Sequence, residues 1–197
     1  MLRSEYDACV LEVDGFIGHF LDRLKELGLY DQSLIVLFAD HGEGLFDHGL
    51  CQHLASHYDE VVRVPLLIKL PHGRKGGLRV KPQVRTIDIF PTMLELAGIQ
   101  AQDAVRLQVH GVSLVPLLEN KELELDACVE TRHLPVHTDS IRSHDGWKLI
   151  VNRLDDSREL FDLAADPAER KNIFFKQPET AGRMEEALLG CLGYSTR

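Results

Sequence analysis

The sequence lacks an excess of basic residues, and this limits the partners that the protein can attract. Its 22 lysine and arginine residues are outnumbered by 31 aspartate and glutamate residues, giving a formal net charge of −9 at pH 7. Nucleic acids and anionic membrane surfaces both attract basic protein faces. Neither kind of partner is therefore expected.

The sequence also lacks long apolar runs. A membrane-spanning helix needs about 20 consecutive apolar residues, and no segment approaches that length. The N-terminus has no apolar core of the kind found in secretory signals, and it carries four acidic residues: Glu5, Asp7, Glu12 and Asp14. The chain as it stands is accordingly predicted to have no membrane partner and to be cytoplasmic, while the localisation of a longer parent protein is left open.

Closely spaced cysteine pairs are absent as well. The four cysteines, Cys9, Cys51, Cys128 and Cys191, are far apart and form no Cys-x-x-Cys pair. Structural zinc sites and disulfide frameworks usually show regular cysteine spacing. The expectation is four reduced and mostly buried thiols.

Histidine, in contrast, is abundant and clustered. Of the ten histidines, four lie between Ser33 and Pro71: His41, His48, His53 and His57. This stretch holds an apolar run, then Asp40-His41-Gly42, and seven residues later Asp47-His48-Gly49. A carboxylate and an imidazole at the end of a strand are suited to binding a divalent metal beside a reacting group.

Simpler interpretations of these residues also exist. An Asp-His-Gly triplet often does no more than end a strand and begin a loop, and most histidines in loops are solvated polar residues. Asp47, His48 and His57 are assigned to the loop, and Asp59 and Glu60 to the surface or to a structural role. Cys51 beside His53 is weak evidence for a nucleophile.

Apolar spacing and turn residues predict the order of elements. The N-terminal half contains a helix over 4–28, strands over 34–39, 64–69 and 80–84, a helix over 89–98 and a short helical piece within 111–118. The C-terminal part contains strands over 127–132, 140–143, 147–152 and 159–162, then a helix over 178–192. Asp145-Gly146 predicts a hairpin turn between two of these strands.

Together these elements predict an α/β fold with two domains. Residues 1–119 would form a catalytic α/β domain in which the strand over 34–39 is buried in a parallel sheet. Residues 120–197 would form a small antiparallel lobe with a terminal helix. The boundary is placed where a strongly charged stretch, residues 119–126, interrupts the chain.

Several motifs in a fixed order resemble those of the sulfatases, within the alkaline-phosphatase-like superfamily. They are Asp40-His41-Gly42-Glu43, Asp47-His48, His53, Tyr58-Asp59-Glu60, Arg63-Val64-Pro65-Leu66-Leu67, Asp88 to Thr92, Gly111 to Leu114, Trp147-Lys148-Leu149 and Asp166-Pro167-Ala168-Glu169. The resemblance covers nearly the whole chain. It implies part of an alkaline-phosphatase-like sheet with flanking helices.

The resemblance also implies roles for three residues. Asp40 and His41 would bind a divalent cation, with Ca²⁺ expected and Mn²⁺ or Zn²⁺ as alternatives. His53, thirteen residues after Asp40, would contact the sulfate or phosphate group or assist the leaving oxygen. Asp47 and His48 are not counted as ligands.

One large departure from the family pattern accompanies this likeness. Family members carry a nucleophile and two further acidic ligands near the start of a much longer chain, and no Cys/Ser-x-Pro-x-Arg motif occurs here. In Cys128-Val129-Glu130-Thr131-Arg132 the proline is replaced by Glu130, so this segment is interpreted as a strand. The chain resembles the C-terminal half of a sulfatase-like hydrolase, starting at an internal Met or cut from a longer protein.

The sequence thus predicts a metal-dependent hydrolase of small-molecule or saccharide sulfate or phosphate esters, inactive on its own. Whether the chain is itself an enzyme is left open. The alternatives are a non-catalytic binding or interaction module, and a phosphodiesterase or phosphonate monoester hydrolase of the same superfamily. Exposed sheet edges are expected to promote oligomers.

Overall fold

A computed structural model describes residues 2–49, 51, 53, 56–100, 109–133 and 136–193. The chain packs as two compact units. One comprises Met1–Ala39 with Val64–Arg79, and the other comprises Asp40–Arg63 with Val80–Arg197. The units divide the chain differently from the domains expected at 1–119 and 120–197, and that domain boundary stays a prediction.

The first unit contains a long helix with an exposed apolar side. Helix α1 spans Leu2–Glu26, and Gly28 follows it at a φ of +67°, which a glycine adopts without a steric penalty. The spacing of apolar residues predicted this helix. Its aromatic side chains are nevertheless not buried, since Phe16 and Phe20 are 64% and 58% exposed.

The two strands of this unit differ from expectation. Strand β1, Ile35–Phe38, pairs antiparallel with strand β2, Leu66–Lys69, and not within a parallel sheet. Its last two side chains, Leu37 and Phe38, are 39% and 47% exposed, so the strand is not buried either. A continuous apolar run shows that both faces of a strand are apolar, but it does not determine the direction of the neighbouring strand.

The second unit is built on a four-stranded antiparallel sheet in the order β3-β4-β5-β6. The strands are Ala127–His133, Val136–Arg142, Trp147–Asn152 and Arg158–Asp162. Gly146 has a φ of +90° in the predicted turn before β5. The predicted α/β class and antiparallel C-terminal lobe are both confirmed.

Three short α-helices and a terminal one accompany the sheet among the described residues of this unit. These are α2 at Asp59–Val62, α3 at Ile89–Leu96, α4 at Val115–Leu118 and α5 at Pro178–Cys191. The strand expected over Val80–Val84 does not form. Instead, the amide of Gln83 donates to the carbonyl oxygens of Leu125 and Arg142, at 2.7 and 2.8 Å.

The two faces of the sheet have different partners because side chains alternate along each strand. On one face, Ile141, Leu149 and Leu160 pack with Met184 and Leu188 of α5 and form the largest described apolar core. The opposite face carries the alternate residues of the same strands. It contacts the segment Asp40–Arg63, which holds the predicted site.

A disulfide joins this sheet to its helix. Cys128 of β3 is bonded to Cys191 of α5, with Cα atoms 6.5 Å apart, whereas Cys9 and Cys51 are free and exposed. The expectation of four reduced, mostly buried thiols is therefore wrong. The pairing was hidden because the two cysteines are 63 positions apart in the sequence and only the fold brings them together.

Two of the quoted family motifs meet at a buried carboxylate. Asp88, with no exposed surface, accepts hydrogen bonds from the side chain of Arg85 and from the backbone N–H of Val112. Thr92 donates to the carbonyl of Asp88 and accepts from the N–H of Leu114. These motifs hold the chain together in this region, which is a structural role.

No helix among the described residues combines the length and the apolar character needed to cross a bilayer.

Candidate functional site

The predicted site begins where the chain leaves β1. Gly42 donates its N–H to the carbonyl of Val61 at 2.7 Å, which ties the start of the loop to α2. A Cβ built on Gly42 would overlap the carbonyl oxygen of Glu60. Only glycine allows this close approach, so the residue after the Asp-His pair fixes where the pair lies.

The imidazoles of His41 and His53 lie against each other. Their ring centroids are 3.9 Å apart and the rings are inclined by 25°. Nδ1 of His53 lies 3.4 Å from Oε2 of Glu43, at the long end of hydrogen bonding. The structure thus brings together residues that are ten or more positions apart in the sequence.

The hydrogen bond at Nδ1 of His41 determines what its other nitrogen can do. Nδ1 lies 2.8 Å from the carbonyl oxygen of Gly42, which can only accept, so Nδ1 carries the proton. In the neutral ring, Nε2 then presents a lone pair. A histidine oriented by a carbonyl in this way is the usual form of a metal-binding imidazole.

Asp40 lies beside His41 and is open to solvent. Its Oδ1 accepts the backbone N–H of His41 at 3.0 Å, and its Oδ2 is 3.8 Å from Nε2 of the same residue. The Asp40 side chain is 87% exposed. Carboxylate and imidazole are suitable donors for Ca²⁺, Mn²⁺ or Zn²⁺ only as part of a larger set.

That larger set does not occur within the described residues, which contain no group of three or more histidine, cysteine, aspartate or glutamate residues placed to hold a metal. Asp40 and His41 therefore fit one side of a metal site. Among the described residues, the buried atom Oε1 of Glu43 has no hydrogen-bond partner, which marks this side as a place where a donor or cation could be accommodated.

The segment after His53 is fixed to the sheet by a buried histidine. His57 is 3% exposed, and its two ring nitrogens contact the hydroxyls of Ser140 and Thr131 at 2.9 and 2.8 Å. Burial, with a smaller effect from Lys148, lowers the pKa of His57 to about 4. Its assignment as a solvated loop histidine was wrong, because the strands that bury it are more than 70 residues away.

Both ring nitrogens of His48 also have hydrogen-bond partners, as those of His57 do. Its Nδ1 lies 2.6 Å from a carboxylate oxygen of Glu60, and its Nε2 lies 3.1 Å from the carbonyl oxygen of Glu169. Its ring also stacks on Tyr58 at 3.7 Å. With both nitrogens occupied, His48 serves as a structural link between the loop, α2 and the C-terminal region.

Tyr58 extends the same link to strand β6. Its hydroxyl donates to Glu159 at 2.8 Å. Burial, followed by this hydrogen bond, raises the pKa of Tyr58, so the phenol remains neutral. Neither His48 nor Tyr58 is therefore poised for metal binding or acid–base chemistry.

Lys148 forms a buried ion cluster that the sequence did not indicate. Its ammonium is 1% exposed and lies 2.8 Å from Asp59 and 2.6 Å from Glu169. Oε2 of Glu169 also accepts the N–H of Asp59 at 2.6 Å, and the guanidinium of Arg142 lies 3.5 Å from the Asp59 carboxylate. The one available signal was a lysine inside the apolar strand β5.

The comparisons with known proteins agree with the quoted motifs. The family model described as Sulfatase matches residues 2–99. Arylsulfatase K of Xenopus laevis is 30% identical over 98% of this chain, and the match covers 37% of that relative. The chain thus spans little more than a third of the curated relative's length.

Solved structures give the same picture for the fold. A protein whose structure was solved in complex with its substrate, D-glucosamine-2-N,6-O-disulfate, is 28% identical, with a TM-score of 0.75 over 94% of this chain and 39% of the other. The phosphonate monoester hydrolase of Agrobacterium radiobacter is 25% identical, with a TM-score of 0.74 over 93% of this chain and 40% of that protein. The alkaline-phosphatase-like fold expected from the motifs is confirmed.

Proposed function

Because this chain belongs to the sulfatase family, we propose that it forms part of a metal-dependent hydrolase of sulfate or phosphate esters. The observation that carries the proposal is the contact between His41 and His53, whose rings lie 3.9 Å apart beside Asp40. The three residues with proposed roles share one surface in the described structure.

Each residue has a distinct proposed role. Asp40 would bind a divalent cation through its carboxylate, and His41 through Nε2. A bound cation would neutralise the ester anion and activate a nucleophile. His53 would contact a non-bridging ester oxygen or give a proton to the leaving oxygen, while Glu43 orients its ring through Nδ1.

The proposed substrate is a sulfated saccharide. Its support is the protein solved in complex with D-glucosamine-2-N,6-O-disulfate, which shares the fold at 28% identity. The similarity to a phosphonate monoester hydrolase supports a second candidate, hydrolysis of phosphate or phosphonate esters. Hydrolysis of an aryl sulfate and of a bis-aryl phosphate by a full-length parent protein would separate the two.

The isolated chain is expected to be inactive, because two ligands bind a cation weakly and leave most of its coordination to water. Purified protein with Ca²⁺ or Mn²⁺ should hydrolyse neither an aryl sulfate nor a bis-aryl phosphate. Robust turnover abolished by Asp40→Ala would contradict this expectation.

Metal binding provides the direct test of the proposed site. Mn²⁺ should broaden the ring resonances of His41 and His53 in NMR spectra, and Asp40→Asn should weaken the effect at least about tenfold. Asp47→Asn is the matched control, because Asp47 belongs to the second Asp-His-Gly triplet and should leave binding unchanged. Equal loss in both variants, or no broadening in the original chain, would refute the assignment of Asp40.

A non-catalytic binding module is the remaining alternative. It is favoured by one observation, that the described residues hold no complete ligand set. The coding sequence upstream of Met1 distinguishes the two. An in-frame extension with Cys/Ser-x-Pro-x-Arg would favour the hydrolase, and its absence would favour the module.

A further inference from the structure

A buried aspartate positions two arginines on the face of the sheet that carries α5. Asp139 has no exposed surface, and its two oxygens contact different guanidiniums. Oδ1 lies 2.5 Å from Nη1 of Arg132, and Oδ2 lies 2.6 Å from Nε of Arg153. Burial acts to raise the pKa of Asp139, but the two arginines outweigh it and hold that pKa below its ordinary value.

The same two arginines line a cavity. Four described residues line a space of about 310 Å³ that opens to solvent: Arg132, His137, Arg153 and Leu189. Both guanidinium-bearing side chains are about 30% exposed, at 31% and 29%. They are thus partly shielded from water and still accessible, which strengthens their attraction for an anion compared with fully exposed arginines.

The two guanidiniums are matched in number by two carboxylates, Asp139 and Glu130, so the cluster offers an anion hydrogen-bond donors and no net positive charge. Arg132 is shared between Asp139 and Glu130, whose carboxylate lies 2.9 Å from its Nε. The bond from Arg153 to Asp139 uses Nε, the nitrogen nearest the chain. Within the part of the chain that the structure describes, the terminal nitrogens of Arg153 can therefore serve a second acceptor.

We propose that this cavity binds an oxyanion carried by a sugar, either a sulfate or a carboxylate group. Arg153 would donate to the oxyanion from its terminal nitrogens, as guanidinium does in bidentate pairing. Leu189 would provide an apolar wall for the sugar ring, and His137 a polar contact beside it. The cavity volume lies at the lower end of the usual range for small-molecule sites.

This site is separate from the proposed metal-binding residues. Asp139 and His137 point to the face of β4 that packs on α5, whereas Ser140, which contacts His57, points to the other face. Binding in the cavity requires neither Asp40 nor a metal. Its test therefore does not depend on the outcome of the hydrolase proposal.

Calorimetric titration and the NMR signals of the His137 ring would measure the binding. The probes are inorganic sulfate, glucose 6-sulfate and glucuronate, with glucose as the neutral control. We expect saturable binding of the three anions and none of glucose. Stronger binding of glucose 6-sulfate than of glucuronate would identify a sulfated sugar as the source of the anion, and the reverse order would identify a uronate.

Two pairs of variants test the residues. Arg153→Gln should weaken binding at least about tenfold, while Arg158→Gln should change it less than about twofold. Arg158 is a fair control because it is also 29% exposed and also forms an ion pair through Nε, but does not line the cavity. Leu189→Glu should abolish binding by charge repulsion without touching Asp139, and Leu189→Gln should retain it.

Three results would overturn the proposal. They are the absence of saturable anion binding in the unmodified chain, equal losses in Arg153→Gln and Arg158→Gln, and loss of binding in His53→Gln. The last would show that the anion is bound at the proposed catalytic surface instead. Leu189→Glu keeps the test decisive even if Arg153→Gln fails to fold.

Discussion

The ammonium of Lys148 lies 2.6 Å from a carboxylate oxygen of Glu169, and both side chains are 1% exposed. The contact is ionic and is not an aligned hydrogen bond. Asp59 shares the same ammonium, so a single buried cation serves two carboxylates. Burial acts to raise the pKa of Glu169, and Lys148 only partly opposes this effect. The cluster thus fastens α2 to the sheet, at the cost of removing three charges from water.

Removing the cation should therefore be strongly destabilising. Lys148→Met leaves the carboxylates of Asp59 and Glu169 next to each other, without a cation as close to them as the lysine ammonium was. A broken buried ion pair typically costs about 3–5 kcal/mol. Urea denaturation followed by circular dichroism should show this loss in the free energy of unfolding.

A surface lysine provides the control for this measurement. Lys121 pairs with Glu119 at a similar distance, 2.7 Å, but the two side chains are 67% and 57% exposed. Lys121→Met should leave the unfolding midpoint within experimental error, because exposed ion pairs contribute little. If the two variants behaved alike, burial would not be the source of the effect.

Lowering the pH should destabilise the second unit, because folding disfavours the protonated form of His57. Its pKa of about 4 in the folded chain lies below the ordinary value of 6.5, so the unfolded chain binds the proton more readily. The stability that neutral His57 contributes is complete above pH 6.5 and is lost as the pH falls toward 4. The contribution of His57 to the free energy of unfolding that is lost over this pH range amounts to about 3 kcal/mol at most.

The contribution of His57 can be isolated by substitution. His57→Gln keeps hydrogen-bonding capacity but cannot be protonated, so its stability should fall less between pH 7 and pH 4.5. Glu169 and Asp139 titrate equally in both proteins and cancel in the comparison. Parallel slopes of unfolding free energy against pH would show that His57 is not the group responsible.

The disulfide should hold α5 against the sheet. Closing a loop between cysteines 63 positions apart, Cys128 and Cys191, predicts about 4 kcal/mol of stabilisation in the chain-entropy model. Cys128→Ser, or reduction, should lower the urea midpoint accordingly. A maleimide should label two thiols, Cys9 and Cys51, in the native chain, and four after reduction and unfolding. Four labels without reduction would exclude the bond.

The oxidation state also bears on where the protein resides. Structural disulfides persist in oxidising compartments and are rare in the cytosol. Finding this bond intact in protein from its native source would argue against the cytoplasmic location predicted from the N-terminus.

Gly42 should tolerate no side chain. In Gly42→Ala the new methyl group would overlap the carbonyl oxygen of Glu60, and the expected cost is about 2 kcal/mol or more. Gly182→Ala, in the middle of α5 with open space around it, should instead stabilise the chain by about 1 kcal/mol. Thermal unfolding of the two variants should shift in opposite directions, and a shift in the same direction would refute this account of Gly42.

Features that depend on neighbouring residues were predictable from the sequence. The α5 helix was placed within one residue of its end, and the turn at Asp145-Gly146 was found because φ above zero favours glycine. The grouping of Asp40, His41 and His53 followed from the resemblance to the sulfatase motifs. Their chemical roles are not decided by their geometry and stay predictions.

Features that depend on distant residues were not predictable. The pairing of Cys128 with Cys191, the burial of His57 and the partners of Lys148 all join segments more than 20 residues apart. Alternation within β4 gave no hint of which face would meet which partner. Such contacts are determined by how the elements pack, for which a single sequence carries little local signal.

The alternation of β4 has a consequence for the length of this strand. Ser140 serves the buried histidine on one face, and Asp139 serves the two arginines on the other. Inserting one residue between Asp139 and Ser140 would turn both side chains to the same face, whereas inserting two would return them to opposite faces. We therefore expect natural or engineered length changes within β4 to be tolerated only in even numbers of residues, because only these keep the histidine contact and the arginine contacts on opposite faces of the sheet.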